Sequence, residues 1–132
     1  MKIVLDPQIF IYQKFGGISR YYTEIYKHLK EKNIDIECPI VYTENLHLKE
    51  YSFFKNNWQK VIELASKFSY SITEIIKRVL KQKSFRKAEY IVKQGDFDLF
   101  VPTYYDPYFL TYIGSKPFVL TVYDMINELF PQ

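Results

Sequence analysis

Phe15-Gly16-Gly17-Ile18-Ser19-Arg20-Tyr21 is the stretch on which the reading of this chain turns. Upstream stands a short apolar run, Ile3-Val4-Leu5, and a strongly periodic segment begins at Ile18. Two adjacent glycines there let the backbone turn tightly and approach a ligand closely. The helix that follows offers unpaired N–H groups and the positive end of its dipole, a ready site for phosphate or carboxylate. The same pair also reads as a plain strand-to-helix turn with no ligand.

Working outward, Lys2 to Asp6 reads as a buried strand that Pro7 ends, because proline cannot donate to a central ladder. Gln8 to Phe15 reads as an apolar loop folded over a cleft. Ile18 to Lys32 is the clearest helix, with Ile18, Tyr21, Tyr22, Ile25, Tyr26 and Leu29 on one face. Arg20 and Glu24 stand four apart on the other face, spaced for an ion pair. Lys27, Lys30 and Lys32 suit the negative end of the dipole, and Asn33 is the expected stop. Asp35 to Thr43 is a second strand. Strand, helix, strand with short links is a βαβ unit.

Composition fits one globular domain. The 132 residues are 48% hydrophobic and 25% charged, enough for a core and too apolar for disorder. Aromatics reach 19%, with 13 Tyr and 11 Phe, so some tyrosines should line a cleft or interface. The single cysteine, Cys38, excludes an internal disulfide, and two histidines are too few for a His-based metal site. The opening Met1-Lys2-Ile3-Val4-Leu5-Asp6 is too short in its apolar run for a signal peptide. No run approaches the roughly 20 apolar residues of a membrane span. A cytoplasmic protein, peripheral at most on the inner face of a membrane, is expected. Net charge is +3, but residues 55–93 hold 10 Lys or Arg against 3 Asp or Glu. Lys77, Arg78, Lys81, Lys83, Arg86 and Lys87 concentrate that charge, which suits either an anionic membrane surface or a solvated helix face.

Further along, Trp58 to Leu80 reads as a helix with a break near Ser69 to Thr73, and a separate helix is expected from Ser84 to Gln94, capped by Gly95. Asp98 to Pro102 is a third strand, Tyr108 to Ile113 a helical turn, Pro117 to Val122 a fourth strand, and Met125 to Phe130 a last short helix. Parallel α/β sheets bind ligands at the carboxyl ends of their strands. Three segments should meet there: Gly16-Gly17, Tyr104-Tyr105-Asp106 and Tyr123-Asp124. Asp106 and Asp124 suit a sugar hydroxyl or the role of a base, and equally a turn or cap. Tyr104 and Tyr105 suit stacking on a sugar or lipid, and equally ordinary packing. The glycines match neither G-x-G-x-x-G nor the Walker loop, which argues against a nicotinamide enzyme or an ordinary NTPase.

Phe15-Gly16-Gly17-Ile18-Ser19-Arg20-Tyr21, Pro102-Thr103-Tyr104-Tyr105-Asp106-Pro107 and Leu120-Thr121-Val122-Tyr123-Asp124-Met125-Ile126 together resemble the N-terminal half of a family 4 glycosyltransferase. The resemblance implies an incomplete GT-B fold, a Rossmann-like parallel sheet with flanking helices over 1–132, the nucleotide-sugar-binding domain being absent. It implies metal-free, retaining transfer from a nucleotide-sugar donor to a glycan or lipid-linked acceptor, in bacterial surface polysaccharide or glycolipid assembly. No cofactor and no nucleic-acid partner are implied. By this resemblance Gly16 and Gly17, with Arg20, meet donor phosphate. Tyr104, Tyr105 and Asp106 face the acceptor, and Tyr123 and Asp124 stand at the catalytic junction. The family usually has His where this chain has Tyr123, and often His at Val101 and Asn127. Tyr does not titrate near neutral pH as His does. The alternative is a non-catalytic interaction domain that keeps the fold. A sheet ending after four strands would also expose an edge, so a homo-oligomer is expected.

Overall fold

A computed structural model of the chain describes residues 1–51 and 57–123. It is an α/β fold around a small, open, all-parallel sheet of three strands, order β2-β1-β3. β1 (Lys2–Leu5) is central, with β2 (Asp35–Glu37) and β3 (Leu99–Val101) on either side. Val4 and Leu5 are wholly buried, as the middle strand of a parallel sheet requires.

The helix after the glycines, α2 (Gly17–Glu31), closes as expected at Asn33. Asn33 is left-handed (φ 56°) and its N–H reaches Lys30 O at 3.0 Å, while Ile34 N–H reaches Leu29 O at 2.9 Å. This two-bond stop is one that Asn tolerates better than most residues. Ser69 breaks the long helical region as expected. It separates α4 (Gln59–Ser66) from α5 (Tyr70–Gln94) and accepts from Ile72 N–H, and Gly95 caps α5 in the left-handed region.

Other expectations change. Gln8–Tyr12, expected as a loop, is a short buried helix, α1. Its backbone is held from outside: Ile9 N–H donates to Thr103 Oγ1 at 3.1 Å, and the Thr43 hydroxyl donates to Phe10 O. The second strand stops at Glu37, because Pro39 intervenes and the Val41 N–H is diverted to Ser84 Oγ at 2.9 Å. Ser84 does not begin a helix. It lies buried inside the continuous α5 and bonds back to Leu80 O at 3.2 Å. Asn45 caps a turn of helix, α3 (Leu46–Lys49), where the sequence carries little signal.

The fourth strand shrinks to a single parallel bridge between Phe100 and Phe118. Phe100 N–H donates to Pro117 O and Val119 N–H to Phe100 O. The next bond of a parallel ladder would need an N–H from residue 102, which is proline and has none. The expected helix Met125–Phe130 lies outside the described residues.

One apolar cluster, including Leu5, Ile9, Phe10, Tyr22 and Ile36, fills the α2 side of the sheet. A second joins Val4, Val92, Phe100 and Phe109. Among the described residues no helix is long and apolar enough to cross a membrane.

Candidate active-site cleft

The carboxyl ends of β1 and β3 open onto the loop Pro102–Pro107 and the 3-10 turn Tyr108–Thr111. Buried Gln8 clamps that loop with both ends of its amide. Its Nε2 donates to Asp106 O at 3.0 Å, and its Oε1 accepts from Asp106 N–H at 3.1 Å. Tyr22 on α2 ties the loop from below, its hydroxyl donating to Pro102 O at 3.1 Å.

Two adjoining cavities result. The larger opening, about 430 Å³, is lined by Gly17, Ile18 and Tyr21 on α2 and by Thr121, Val122 and Tyr123. The other, about 240 Å³, is lined by Tyr104, Tyr105 and Asp106 with Phe109, Leu110, Phe118 and again Tyr123. Gly17, the Tyr104–Asp106 segment and Tyr123 therefore line adjoining spaces, and Tyr123 is the wall between them. Its ring stands edge-on to Tyr21 and Tyr22, at 6.3 and 6.2 Å. Its hydroxyl is buried and meets the geometric criteria for a hydrogen bond with no partner among the described residues. Burial first, then the Tyr22 phenol beside it, pushes Tyr123 above the ordinary phenol value. At neutral pH this group is a hydrogen-bond donor, not a base.

The glycine loop differs from its expected form. Neither Gly16 nor Gly17 takes the left-handed conformation, and Gly16 (φ 168°) is extended. A Cβ at Gly16 would lie 2.5 Å from Gln13 Oε1, so close approach of this amide is what glycine permits. That Oε1 accepts from Ser19 N–H at 3.3 Å and so takes one of the free N–H groups at the start of α2. Around Gly17 there is open space. Arg20 is exposed and lines neither cavity. It makes no ion pair with Glu24, whose carboxylate accepts from the Tyr51 hydroxyl at 2.7 Å. Asp106 is exposed, and its Oδ1 accepts from Tyr108 N–H at 3.0 Å, the turn role, while it still lines the smaller cavity. Asp124 lies outside the described residues.

Sequence reasoning passed over Asp6. It sits fully buried at the carboxyl end of β1, where its Oδ1 accepts from the Tyr108 hydroxyl at 3.0 Å and its Oδ2 from Thr103 N–H at 3.4 Å. Burial pushes its carboxyl up to about 7, against the opposing pull of those donors. Its position, at the carboxyl end of the first strand of a parallel α/β sheet and just before Pro7, was the available signal. Gln8 and Gln13 gave none, since their roles depend on partners distant in the chain. Among the described residues no cluster of three His, Cys, Asp or Glu is placed to hold a metal.

Comparison with protein-family models, with curated proteins and with solved structures finds no match to this chain.

Proposed function

We propose that this chain is the acceptor-side domain of a GT-B glycosyltransferase that moves a sugar from a nucleotide-sugar donor to a glycan or lipid-linked acceptor. One observation carries the reading: Tyr123 joins the space at the start of α2 to the aromatic space over Tyr104, Tyr105 and Asp106. The first suits a diphosphate, which helix N–H groups recognise. The second suits a sugar or an apolar tail against tyrosine faces. Tyr123 would donate a hydrogen bond to an oxygen lying between them. Titrating the isotopically labelled chain with a nucleoside diphosphate sugar tests this. Amide shifts at Gly17, Ile18 and Ser19 are expected, diminished in Gly17→Ala. Unperturbed amides at millimolar ligand would remove the donor-phosphate role proposed for Gly17. The isolated chain is expected to show no multiple-turnover transfer to a panel of acceptors.

A binding domain without chemistry is the second reading. It is favoured by the protonated Tyr123 where the family usually has a titrating His. Under either reading Phe118, Val119, Leu120 and Val122 leave an exposed apolar stretch. We expect a second copy to cover it. Light scattering that returned a monomer at high concentration would count against that. Peripheral docking on an anionic membrane is proposed through the 77–87 region, with Phe68 and Tyr70 exposed at the junction of α4 and α5. Lys77 and Lys81 engage Glu44 and Lys87 engages Glu37 at 3.0 Å, so Arg78, Lys83 and Arg86 would carry the attraction. Liposome co-sedimentation with and without anionic lipid checks it.

A further inference from the structure

Beside α1 the first half of α5 forms an open groove of about 600 Å³ that the cleft does not use. Its walls are Ile11 and Tyr12 on one side and Glu74, Lys77, Arg78, Lys81, Gln82 and Phe85 on the other. Beneath it lies Glu44, bonded to Lys77 at 3.1 Å and to Lys81 at 3.0 Å. Lys77 also meets Glu74 at 2.8 Å. Arg78 is exposed and pairs with no described carboxylate.

The groove is joined to the cleft by aromatic rings. Tyr105 meets Tyr104 at 4.7 Å between centroids, Tyr104 meets Tyr12 at 5.8 Å, and Tyr12 meets Phe85 at 5.7 Å. Successive planes turn by 54°, 43° and 47°, so the row is a twisting track rather than a flat stack. Its steps are on the scale of single sugar rings. Tyr12 and Tyr105 are more than half exposed, so both rings are open to a ligand.

We infer that this track and groove bind an acidic saccharide chain, whose sugar faces lie on the rings from Tyr105 to Phe85 and whose carboxylate or phosphate meets Arg78. The inference rests on the glycosyltransferase reading for the kind of ligand, and names that ligand as anionic and several residues long. Charge complementarity selects it. The groove carries Lys77, Arg78 and Lys81 against Glu44 and Glu74, so one cation is left over, in Arg78. Arg presents a planar fork suited to carboxylate or phosphate. Glu74 and the Gln82 amide add acceptors for hydroxyl groups, which a sugar has in quantity. A flat membrane is the poorer fit, because Lys77 and Lys81 turn their tips inward to Glu44.

The full chain, isotopically labelled, is titrated with tetragalacturonate, with its carboxyl-reduced counterpart, with oligothymidylate and with phosphatidylserine vesicles. Expected are shifts at Tyr12, Arg78 and Phe85 with tetragalacturonate, and weaker binding of the reduced form. Arg78→Glu should weaken the acid by roughly tenfold or more, the scale of a lost charge-assisted contact. Tyr12→Ala should weaken both saccharides. Arg78 is exposed and pairs with no described carboxylate, so an unchanged melting midpoint certifies that variant's fold. Silence with tetragalacturonate at millimolar concentration overturns the inference. So does equal binding of the reduced form, indifference to Arg78→Glu, or an Arg78-dependent preference for oligothymidylate or vesicles. Gly17 shifts with a nucleoside diphosphate sugar are read on the same samples. If they persist while the saccharide fails, the groove inference falls and the transferase reading stands.

Discussion

Asp6 and Glu44 are both carboxylates withdrawn from water, and the molecule satisfies them by opposite means. Asp6, at the cleft, has a phenol and a backbone N–H as donors and no paired cation among the described residues. Glu44, under the groove, is reached by Lys77 and Lys81, with Lys14 at 3.6 Å. Burial pushes both upward. For Asp6 it prevails, and the carboxyl rises to about 7. For Glu44 the hydrogen bonds from Lys81 and Lys77 outweigh it and hold the group at about 2. A buried carboxyl without a cation is easier to keep neutral than ionised. The cleft is thus built from neutral hydrogen bonds and the groove from ions, and pH and salt should separate them.

The largest effect expected is the pH dependence that Asp6 imposes. Its folded value is raised above the ordinary carboxyl value, so the folded state holds the proton more tightly. That contribution is complete below about pH 4 and is lost as pH rises through about 7. The change is on the order of 3–4 kcal/mol across that window. Urea unfolding between pH 4 and pH 8 measures it. Asp6→Asn should flatten the profile. Tyr108→Phe, which removes a donor to the carboxylate, should move the loss to higher pH. A wild-type profile that is flat from pH 4 to 8 would show that Asp6 titrates normally.

Glu44 should behave in the opposite sense. Its folded value is depressed, so its stabilisation is present above the ordinary value near 4.5 and disappears as pH falls through about 2. Glu44→Gln leaves Lys77 and Lys81 facing a neutral amide and should cost about 2 kcal/mol at pH 7. The difference from wild type should narrow in acid and in high salt, whereas that of Asp6→Asn should be insensitive to salt. Equal salt dependence of the two variants would erase the distinction between cleft and groove.

How much of this was legible in the sequence follows the range of the forces involved. Elements fixed by neighbours in the chain were readable: α2 from its apolar face, its end from Asn33, the break from Ser69, and the end of α5 from Gly95. Those fixed from far away were not. α1 has five residues, too few to form without help, and depends on Thr103 and Thr43. Phe118-Val119-Leu120-Thr121-Val122 has the composition of a strand, but Pro102, across the gap, withholds the next ladder bond. The site divides likewise. The meeting of Gly17, Tyr104 and Tyr123 was readable from strand order, whereas Asp6 and Gln13 acquire their roles only through tertiary contacts.

The smallest effect belongs to the two glycines, and it sharpens the contrast at the neutral end. Gly16→Ala brings a methyl group against the Gln13 amide, whose flexible end can swing away. Ser19 N–H then loses its acceptor, and the helix start should weaken by under about 1 kcal/mol. Gly17→Ala meets nothing, and as the first residue of α2 it should stabilise by about 0.4–1 kcal/mol, because alanine restricts the unfolded chain. The methyl group at residue 17 would nevertheless stand in the open space where the proposed diphosphate would approach the N–H groups. Thermal melts and diphosphate titrations should therefore disagree: Gly17→Ala melts higher and binds less, while Gly16→Ala melts slightly lower and, with Gln13 displaced, binds no worse. Both shifts in melting point should be independent of salt, since no ion takes part. If Gly17→Ala melts lower than wild type and leaves the titration unchanged, glycine at this position serves only the entry of the chain into the helix.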